Sequence, residues 1–186
     1  MSKKIIAIIE ATGNIGAAIA KRLAKGNDRL LLFAHETKKL NSLAEEIRKE
    51  TPSADLDCMG CAADASWEAD IIVSAVPLNE EKEIILKIEP FANRKILISI
   101  SFNEKNYRQT TSKAITETKR LQKLLPGAKV VKLFNISFDT DGIQSHAFIT
   151  GINQEALQTV KEIFKKAGFE HLQLINLKTK QNEKVI

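Results

Sequence analysis

Residues Lys4–Gly26 read KIIAIIEATGNIGAAIAKRLAKG, and this stretch decides the fold. An apolar run, Ile5–Ile9, leads directly into a glycine-containing turn, and an Ala- and Lys-rich helical pattern follows. This order is typical of a dinucleotide site, because the free N–H groups and partial positive charge of a helix N-terminus hold a pyrophosphate. We therefore predict that the cofactor-binding residues of the turn are Thr12, Gly13, Asn14, Ile15 and Gly16.

The start of this turn departs from the full three-glycine fingerprint. Gly13 and Gly16 are present, but Ala11 stands at the first glycine position and Glu10 precedes it. Ala11 costs little if its φ is negative, since only the left-handed conformation demands glycine. The Glu10 carboxylate would repel a pyrophosphate unless its side chain points away or hydrogen-bonds elsewhere. The alternative interpretation is a plain strand-to-helix turn in which the glycines serve packing alone.

Strand-like and helix-like segments alternate along the 186 residues. This alternation predicts an α/β fold, a doubly wound, mostly parallel Rossmann sheet of about eight strands. The length fits a single domain over residues 1–186, with a core over residues 4–175 and a polar tail over residues 176–186. We predict strands near Ile5–Ile9, Arg29–Phe33, Asp55–Cys58, Ile71–Ser74, Ile96–Ile100, Lys129–Phe134, His146–Thr150 and His171–Ile175. We predict helices over Ile15–Lys25, Lys38–Lys49, Glu80–Lys87, Ser112–Leu124 and Gln154–Lys166.

Composition excludes several classes of function. The net charge of +5 comes from lysines spread along the chain, without a basic block interleaved with aromatics, so we expect no nucleic-acid partner. No apolar run approaches the roughly twenty residues of a membrane span, and we expect a cytoplasmic protein with no membrane partner. The pair Cys58 and Cys61 follows a predicted strand rather than a helix N-terminus, and the chain has only three histidines. We interpret these cysteines as incidental thiols and predict no metal site.

A second candidate place follows the second predicted strand, at Ala34, His35, Glu36 and Lys38. In dinucleotide sites a carboxylate about twenty residues beyond the glycines binds the ribose 2′-OH of NAD, whereas cationic groups suit the 2′-phosphate of NADP. Glu36 fits the first role, and His35 and Lys38 fit the second. The cations favour NADP, with NAD as the alternative. A solvated loop in which Thr37 caps the next helix is the other interpretation.

A third candidate place is Ala75-Val76-Pro77, after a buried strand, where small residues leave room for a flat ligand over the crevice of the sheet. No Ser/His/Asp constellation or carboxylate dyad is apparent. Ser145-His146 could supply a proton donor, although a histidine at the start of a strand is more often structural. The missing acid–base set is compatible with hydride transfer between two bound redox rings, which needs mainly orientation.

Three motifs together resemble one known family. Ala11–Gly16, Ala75–Pro77 and the segment LPGAKVVKLFN at Leu125–Asn135 are similar to the small NADP-dependent oxidoreductases typified by coenzyme F420-dependent NADP reductase, over about residues 4–169. The resemblance implies that the turn holds NADP, that the Ala75–Pro77 segment lines the nicotinamide pocket, and that Asn135 faces the reaction site as an orienting residue. It also implies coenzyme F420 or a flavin as the electron acceptor.

The chain departs from that family around the same crevice. Ala34-His35 stands where the family usually has serine and arginine for the 2′-phosphate, and Phe102 stands where a small polar residue normally sits. The leading hypothesis is an NAD(P)H-dependent oxidoreductase that transfers hydride between NADP(H) and a flat acceptor. The alternative is a non-catalytic dinucleotide-binding or sensor protein that retains the fold. The chain length favours an acceptor bound against the same sheet, or a pocket completed by the second subunit of a homodimer.

Overall fold

The structure is a computed structural model that describes residues 3–77, 79–100, 110–138, 145–169, 171–175 and 177. Eight strands and six α-helices alternate along these residues. The strands are β1 (Ile5–Ile9), β2 (Arg29–Phe33), β3 (Leu56–Cys58), β4 (Ile71–Ser74), β5 (Ile96–Ser99), β6 (Lys129–Phe138), β7 (Ser145–Gly151) and β8 (His171–Leu174). The helices are α1 (Asn14–Leu23), α2 (Thr37–Glu50), α3 (Ala62–Glu68), α4 (Glu81–Ile88), α5 (Thr111–Leu124) and α6 (Gln154–Lys166).

The strands form one sheet in the order β3-β2-β1-β4-β5-β6-β7-β8. Strands β1 to β6 run parallel, β7 runs antiparallel to β6, and β8 runs parallel to β7. From β1 the chain adds β2 and β3 on one side, and it then adds β4 and the later strands on the other side. At such a switch between β1 and β4, a crevice opens beyond the carboxyl ends of the strands. The sequence-predicted α/β class, its single domain and its mostly parallel sheet of eight strands are confirmed.

Both faces of the sheet are covered by helices. Helices α1, α2 and α6 pack one apolar cluster against one face, and α3, α4 and α5 pack a second cluster against the other. This explains why β4 is apolar at nearly every position, since a strand covered on both faces has no solvent side. The helices show the complementary pattern. In α6 the buried residues recur at helical spacing, namely Ala156, Leu157, Val160, Ile163 and Phe164.

Helix ends follow from particular residues. The Asn153 side chain accepts a 2.9 Å hydrogen bond from the N–H of Ala156 and caps α6. Gly168, at φ 83°, follows the end of the same helix. Helix α3 has no counterpart among the predicted elements. Its seven residues, AADASWE, contain no branched apolar side chain, so the periodic signal of a buried face is missing.

Some observed boundaries differ from the predicted ones. Strand β6 continues to Phe138, beyond the predicted end at Phe134, because its second half pairs with β7 after a register shift. The 3-10 turn Glu89–Phe91 follows α4 directly and was not predicted. The predicted polar tail over residues 176–186 lies outside the described residues except for Leu177.

A cluster of buried charges joins four elements on the face of the sheet that α4 and α5 cover. Lys132 of β6 is fully buried, with its Nζ 3.0 Å from Glu117 Oε2 of α5 and 3.2 Å from the Ser99 hydroxyl of β5. Ser99 donates a 2.6 Å hydrogen bond to Glu81 at the start of α4, and Arg120 donates a 2.6 Å hydrogen bond to the other oxygen of Glu81. Because buried charges are tolerated only when paired, the cluster fixes α4 and α5 relative to the sheet.

We predict that Lys132→Leu lowers the free energy of unfolding by about 3–5 kcal/mol, because it removes the buried cation that lies 3.0 Å from Glu117 and 3.7 Å from Glu81. Urea denaturation followed by circular dichroism measures this change. Lys129→Ala, on the same strand, is the matched control: its 2.7 Å pair with Glu155 is exposed, and its loss should cost at most about 1 kcal/mol. Equal losses in the two variants would contradict the assigned role of the cluster.

Candidate functional site

The candidate residues follow one row of aligned strand ends. Ile9 of β1 pairs in register with Phe33 of β2 and with Ser74 of β4, and Ser74 pairs with Ser99 of β5. The segments after these residues therefore emerge at the same edge of the sheet. They carry the glycine turn, the end of the second strand and the segment Ala75–Pro77, so the fold brings the three predicted places to one crevice.

The glycine turn is shaped by a close contact between α1 and β1. A Cβ atom added at Gly16 would fall far inside van der Waals contact with the carbonyl oxygen of Glu10 and 3.1 Å from the Cα of Ala11. Ala11 itself is fully buried and donates a 2.9 Å hydrogen bond to the carbonyl of Phe33. Only glycine at position 16 permits this approach, so the first turn of α1 lies directly against the end of β1.

The N-terminus of α1 has no side-chain cap. Gly13 is the N-cap residue, no side chain accepts a hydrogen bond there, and no acidic residue lies in the first turn. Helices α2 and α4 likewise have no side-chain cap, whereas α3, α5 and α6 are each capped by a side chain. The first N–H groups of α1 are the donors that an anion would use, and Gly13 leaves the space in front of them free of a side chain.

Glu10 is the left-handed residue of the turn. Its φ is 61°, whereas Ala11 is not among the described residues with positive φ, so alanine is tolerated at the first glycine position as expected. The Glu10 carboxylate hydrogen-bonds to Nδ1 of His35, which follows β2. The carboxylate is therefore engaged with the neighbouring strand end, which is the second of the two arrangements that the sequence allows.

The end of β2 divides the four predicted residues into different environments. Ala34 is buried, whereas His35 is exposed and packs edge-on against Phe33 with ring centroids 5.5 Å apart. Glu36 is the N-cap residue of α2, and its carboxylate pairs with Lys39 at 2.7 Å. Helix α2 begins at Thr37, so the expectation that Thr37 caps this helix is wrong.

A cleft of about 340 Å³ lies between the glycine turn with the start of α1 and helix α2, which follows this strand end. Thr12 and Lys38, two of the predicted residues, both line it. The remaining lining residues are Ala17, Lys39, Ser42, Leu43 and Glu46. Lys38 and Lys39 bring positive charge to the cleft, while His35 and Glu36 lie outside its lining.

The segment Ala75–Pro77 presents mainly backbone to the crevice. The N–H of Ala75 donates a 3.1 Å hydrogen bond to the carbonyl of Ile9, which ties the segment to β1. Ala75 and Val76 are buried, and Val76 belongs to the apolar cluster under α3, α4 and α5. The carbonyl of Pro77 accepts hydrogen bonds from the N–H groups of Glu80 and Glu81 at the start of α4. A flat ligand here would meet Pro77 and peptide groups.

Asn135 lies in β6, three residues beyond Lys132, which pairs in register with Ser99. The ladder with β7 shifts register between Phe134 and Ser137, and Asn135 adopts a φ of 51° at this irregularity. Asparagine tolerates this left-handed conformation better than most residues. The bulge therefore sets Asn135 beyond the carboxyl ends of β4 and β5, on the same edge as the other predicted residues.

The two cysteines differ in environment. Cys58 ends β3, and burial raises the pKa of its thiol. Cys61 is the N-cap residue of α3, where its sulfur accepts a hydrogen bond from the N–H of Asp64 at 3.3 Å. The expectation that neither cysteine lies at a helix N-terminus is therefore wrong for Cys61. A raised thiol pKa at Cys58 disfavours the thiolate that redox chemistry requires.

His146 is stacked on His171 of β8, with ring centroids 4.7 Å apart. It lies at the β7–β8 side of the sheet, separated from β1 by β4, β5 and β6. Within the described parts of the chain, no three His, Cys, Asp or Glu side chains are arranged to hold a metal ion. None of the helices in those parts is long and apolar enough to cross a membrane.

Sequence reasoning missed two features of this region. The buried partners of Lys132 gave no signal, because Glu81 and Glu117 read as members of ordinary charged helix faces, although a lysine within the apolar strand VVKLF was a hint. The pairing of Glu10 with His35 joins residues 25 positions apart and depends on the register of β1 with β2. Phe102, which stands where the family usually has a small polar residue, lies outside the described residues.

Comparison with known proteins identifies the class of site. The family model described as "NADP oxidoreductase coenzyme F420-dependent" matches residues 5–103, slightly more than half of the chain. The F420-dependent NADP reductase of Methanothermobacter marburgensis is 27% identical over 94 residues, which are 50% of this chain and 42% of that protein. The chain thus matches less than half the length of that curated relative.

Solved structures share the fold. Plasmodium falciparum pyrroline carboxylate reductase with NADP bound has a TM-score of 0.66 and 19% identity, covering 94% of this chain and 58% of its own. Mycobacterium tuberculosis 3-hydroxyisobutyrate dehydrogenase has a TM-score of 0.73 and 14% identity, covering 94% of this chain and 55% of its own. At such identities the similarity shows the architecture alone.

We predict that Gly16→Ala lowers the free energy of unfolding by about 2–3 kcal/mol, because the new methyl group meets backbone atoms that have no room to move. Chemical denaturation provides the measurement. Gly60→Ala is the matched control, since a Cβ there meets nothing within 4 Å. A Gly16→Ala variant as stable as the Gly60→Ala variant would show that α1 does not lie this close to β1.

Proposed function

This chain belongs to the family of coenzyme F420-dependent NADP oxidoreductases, and we propose that it transfers hydride between NADP(H) and a flat electron acceptor. A dinucleotide would lie along the carboxyl edge of the sheet, with its pyrophosphate at the first turn of α1 and its adenosine end toward β2. Coenzyme F420 or a flavin is the acceptor class that we propose, bound against the same edge.

The observation that carries this proposal is the uncapped N-terminus of α1. Gly16 allows the helix to lie directly against β1, and Gly13 as the N-cap residue gives its first N–H groups no side-chain acceptor. An anion at this position would supply the missing acceptors and interact favourably with the helix dipole. Thr12 and Lys38 line the adjoining cleft and would contact the phosphate-bearing side of the cofactor.

The proposed reaction side lies between β4 and β6. When bound, the nicotinamide supplies the hydride chemistry, and the protein provides orientation and exclusion of water. Pro77 and the peptide groups of the Ala75–Pro77 segment would form one wall, and Asn135, held beyond the strand ends by the β6 bulge, would orient the reacting rings.

A non-catalytic dinucleotide sensor is the second candidate function. The observation that favours it is the set of residues that depart from the family pattern around the crevice, namely Glu10 and Ala11 in the turn and Ala34-His35 after β2. The two candidates share the binding site and differ only in turnover.

We expect the purified protein to enhance nicotinamide fluorescence on titration with NADPH or NADH, and to oxidise NADPH when coenzyme F420 or a flavin is added. Absorbance at the nicotinamide band, measured with each acceptor separately, tests the second step. Binding without oxidation by any acceptor would assign the sensor function. Absence of binding by both dinucleotides would contradict both candidates.

We predict that Lys38→Ala weakens NADPH binding by about tenfold while changing NADH binding less than twofold, because its ammonium would pair with the 2′-phosphate. Fluorescence titrations give both dissociation constants. Lys49→Ala, which removes an equal charge at the far end of α2, is the control and should change neither. If Lys38→Ala weakens the binding of NADPH and NADH by the same factor, Lys38 does not contact the 2′-phosphate.

A further inference from the structure

Glu10 has an unusual backbone conformation for its position. Among the described residues, only Glu10, Arg94 and Asn135 have positive φ without being glycine. A left-handed conformation costs a residue with a Cβ roughly 1–2 kcal/mol. The sequence thus retains a strained glutamate at the turn that would receive the pyrophosphate, although glycine would fit that backbone without strain.

The side chain of Glu10 crosses from the end of β1 to the end of β2. Its carboxylate hydrogen-bonds to Nδ1 of His35; the Glu10 side chain is only 20% exposed, whereas the His35 side chain is 66% exposed. The ring of Phe33 packs edge-on against the imidazole of His35. A largely sheltered negative charge is therefore held against the inner nitrogen of an accessible ring.

In the proposed binding mode, the adenosine ribose of a dinucleotide would lie next to His35. A cationic group at the end of β2, about twenty residues after the glycines, is the feature that accommodates a 2′-phosphate. The other nearby carboxylates have their own cations: Glu36 pairs with Lys39, and Glu83 pairs with Lys87, each at 2.7 Å. Glu10 is the carboxylate that is hydrogen-bonded to His35.

We infer that Glu10 is a specificity-determining residue whose carboxylate competes internally with the cofactor 2′-phosphate for His35. A 2′-phosphate must either displace this carboxylate or bind beside its charge, and both cost free energy. The 2′-OH of NAD has no such charge and has a proton to donate to the carboxylate. Glu10 therefore lowers the preference of this chain for NADP over NAD.

This inference rests on the proposed dinucleotide site, and it is tested with the ratio of the dissociation constants for NADH and NADPH. Glu10→Gln removes the charge and keeps the size of the side chain. We expect the variant to bind NADPH about tenfold more tightly and NADH less than twofold differently. Fluorescence titrations of both dinucleotides with each variant measure the ratio.

Glu83→Gln is the matched control, because it removes a charge that faces the same histidine without contacting it. A hydrogen bond from Lys87 lowers the pKa of Glu83, and the more distant charge of His35 contributes to that shift. We expect its ratio to stay within twofold of the unmodified protein. If Glu83→Gln raises the affinity for NADPH relative to NADH as much as Glu10→Gln does, the effect comes from the removal of any nearby negative charge, and the inference is overturned.

Glu10→Gln is also made in a His35→Gln background, which tests whether the carboxylate acts through His35 or directly on the phosphate. If the carboxylate acts through His35, the double variant shows no further gain over His35→Gln alone. A tenfold gain that persists without His35 would overturn the competition between carboxylate and phosphate. An unchanged ratio in Glu10→Gln would also overturn it, while failure of every variant to bind either dinucleotide would instead contradict the proposed function.

Discussion

The contact between the first turn of α1 and the carbonyl of Glu10 constrains the site more than any other interaction. Gly16 is there because no Cβ fits against that carbonyl, and the N–H of Gly13 lies 3.4 Å from the same oxygen. The turn is thereby closed so tightly that residue 10 takes a left-handed backbone. Its side chain then leaves the turn toward β2 instead of projecting over α1. The binding capacity of the helix N-terminus and the position of the Glu10 carboxylate are consequences of one packing contact.

The buried charges impose a second constraint at the opposite side of the crevice. Glu81 begins α4 only four residues after Pro77, and its carboxylate is held by Ser99 and Arg120. The segment that connects β4 with α4 is therefore fixed at both ends, by the Ala75–Ile9 hydrogen bond and by this cluster. A wall made largely of peptide groups needs such anchoring, because it has no side chains of its own to hold a ligand in place.

The sequence was sufficient for the architecture because its signals were local. Apolar runs predicted the strands, and helical periodicity predicted five of the helices. Helix α3 was not predicted, because its alanines give little of the periodic hydrophobic pattern that indicates a helix. The glycine turn is also a local pattern. Because it follows directly after β1, it predicts that the site lies at the carboxyl edge of the sheet. The contacts that shape the site were not local: Glu10 meets His35 through strand register, and Lys132 meets Glu81 and Glu117 through helix packing. Such pairings depend on tertiary geometry that single-sequence patterns do not encode.

In the function that we propose, the two sides of the crevice divide recognition from chemistry. On the β1–β2 side, charged side chains and helix N–H groups offer interactions that depend on the phosphates of a ligand and not on its reaction. On the β4–β6 side, backbone, Pro77 and Asn135 offer shape and orientation. A change in the acceptor would therefore require changes around β6, whereas a change between NAD and NADP would require changes only at the ends of β1 and β2. The chain carries its unusual carboxylate on the β1–β2 side, at Glu10, and we therefore infer that its departure from the family pattern affects cofactor selection.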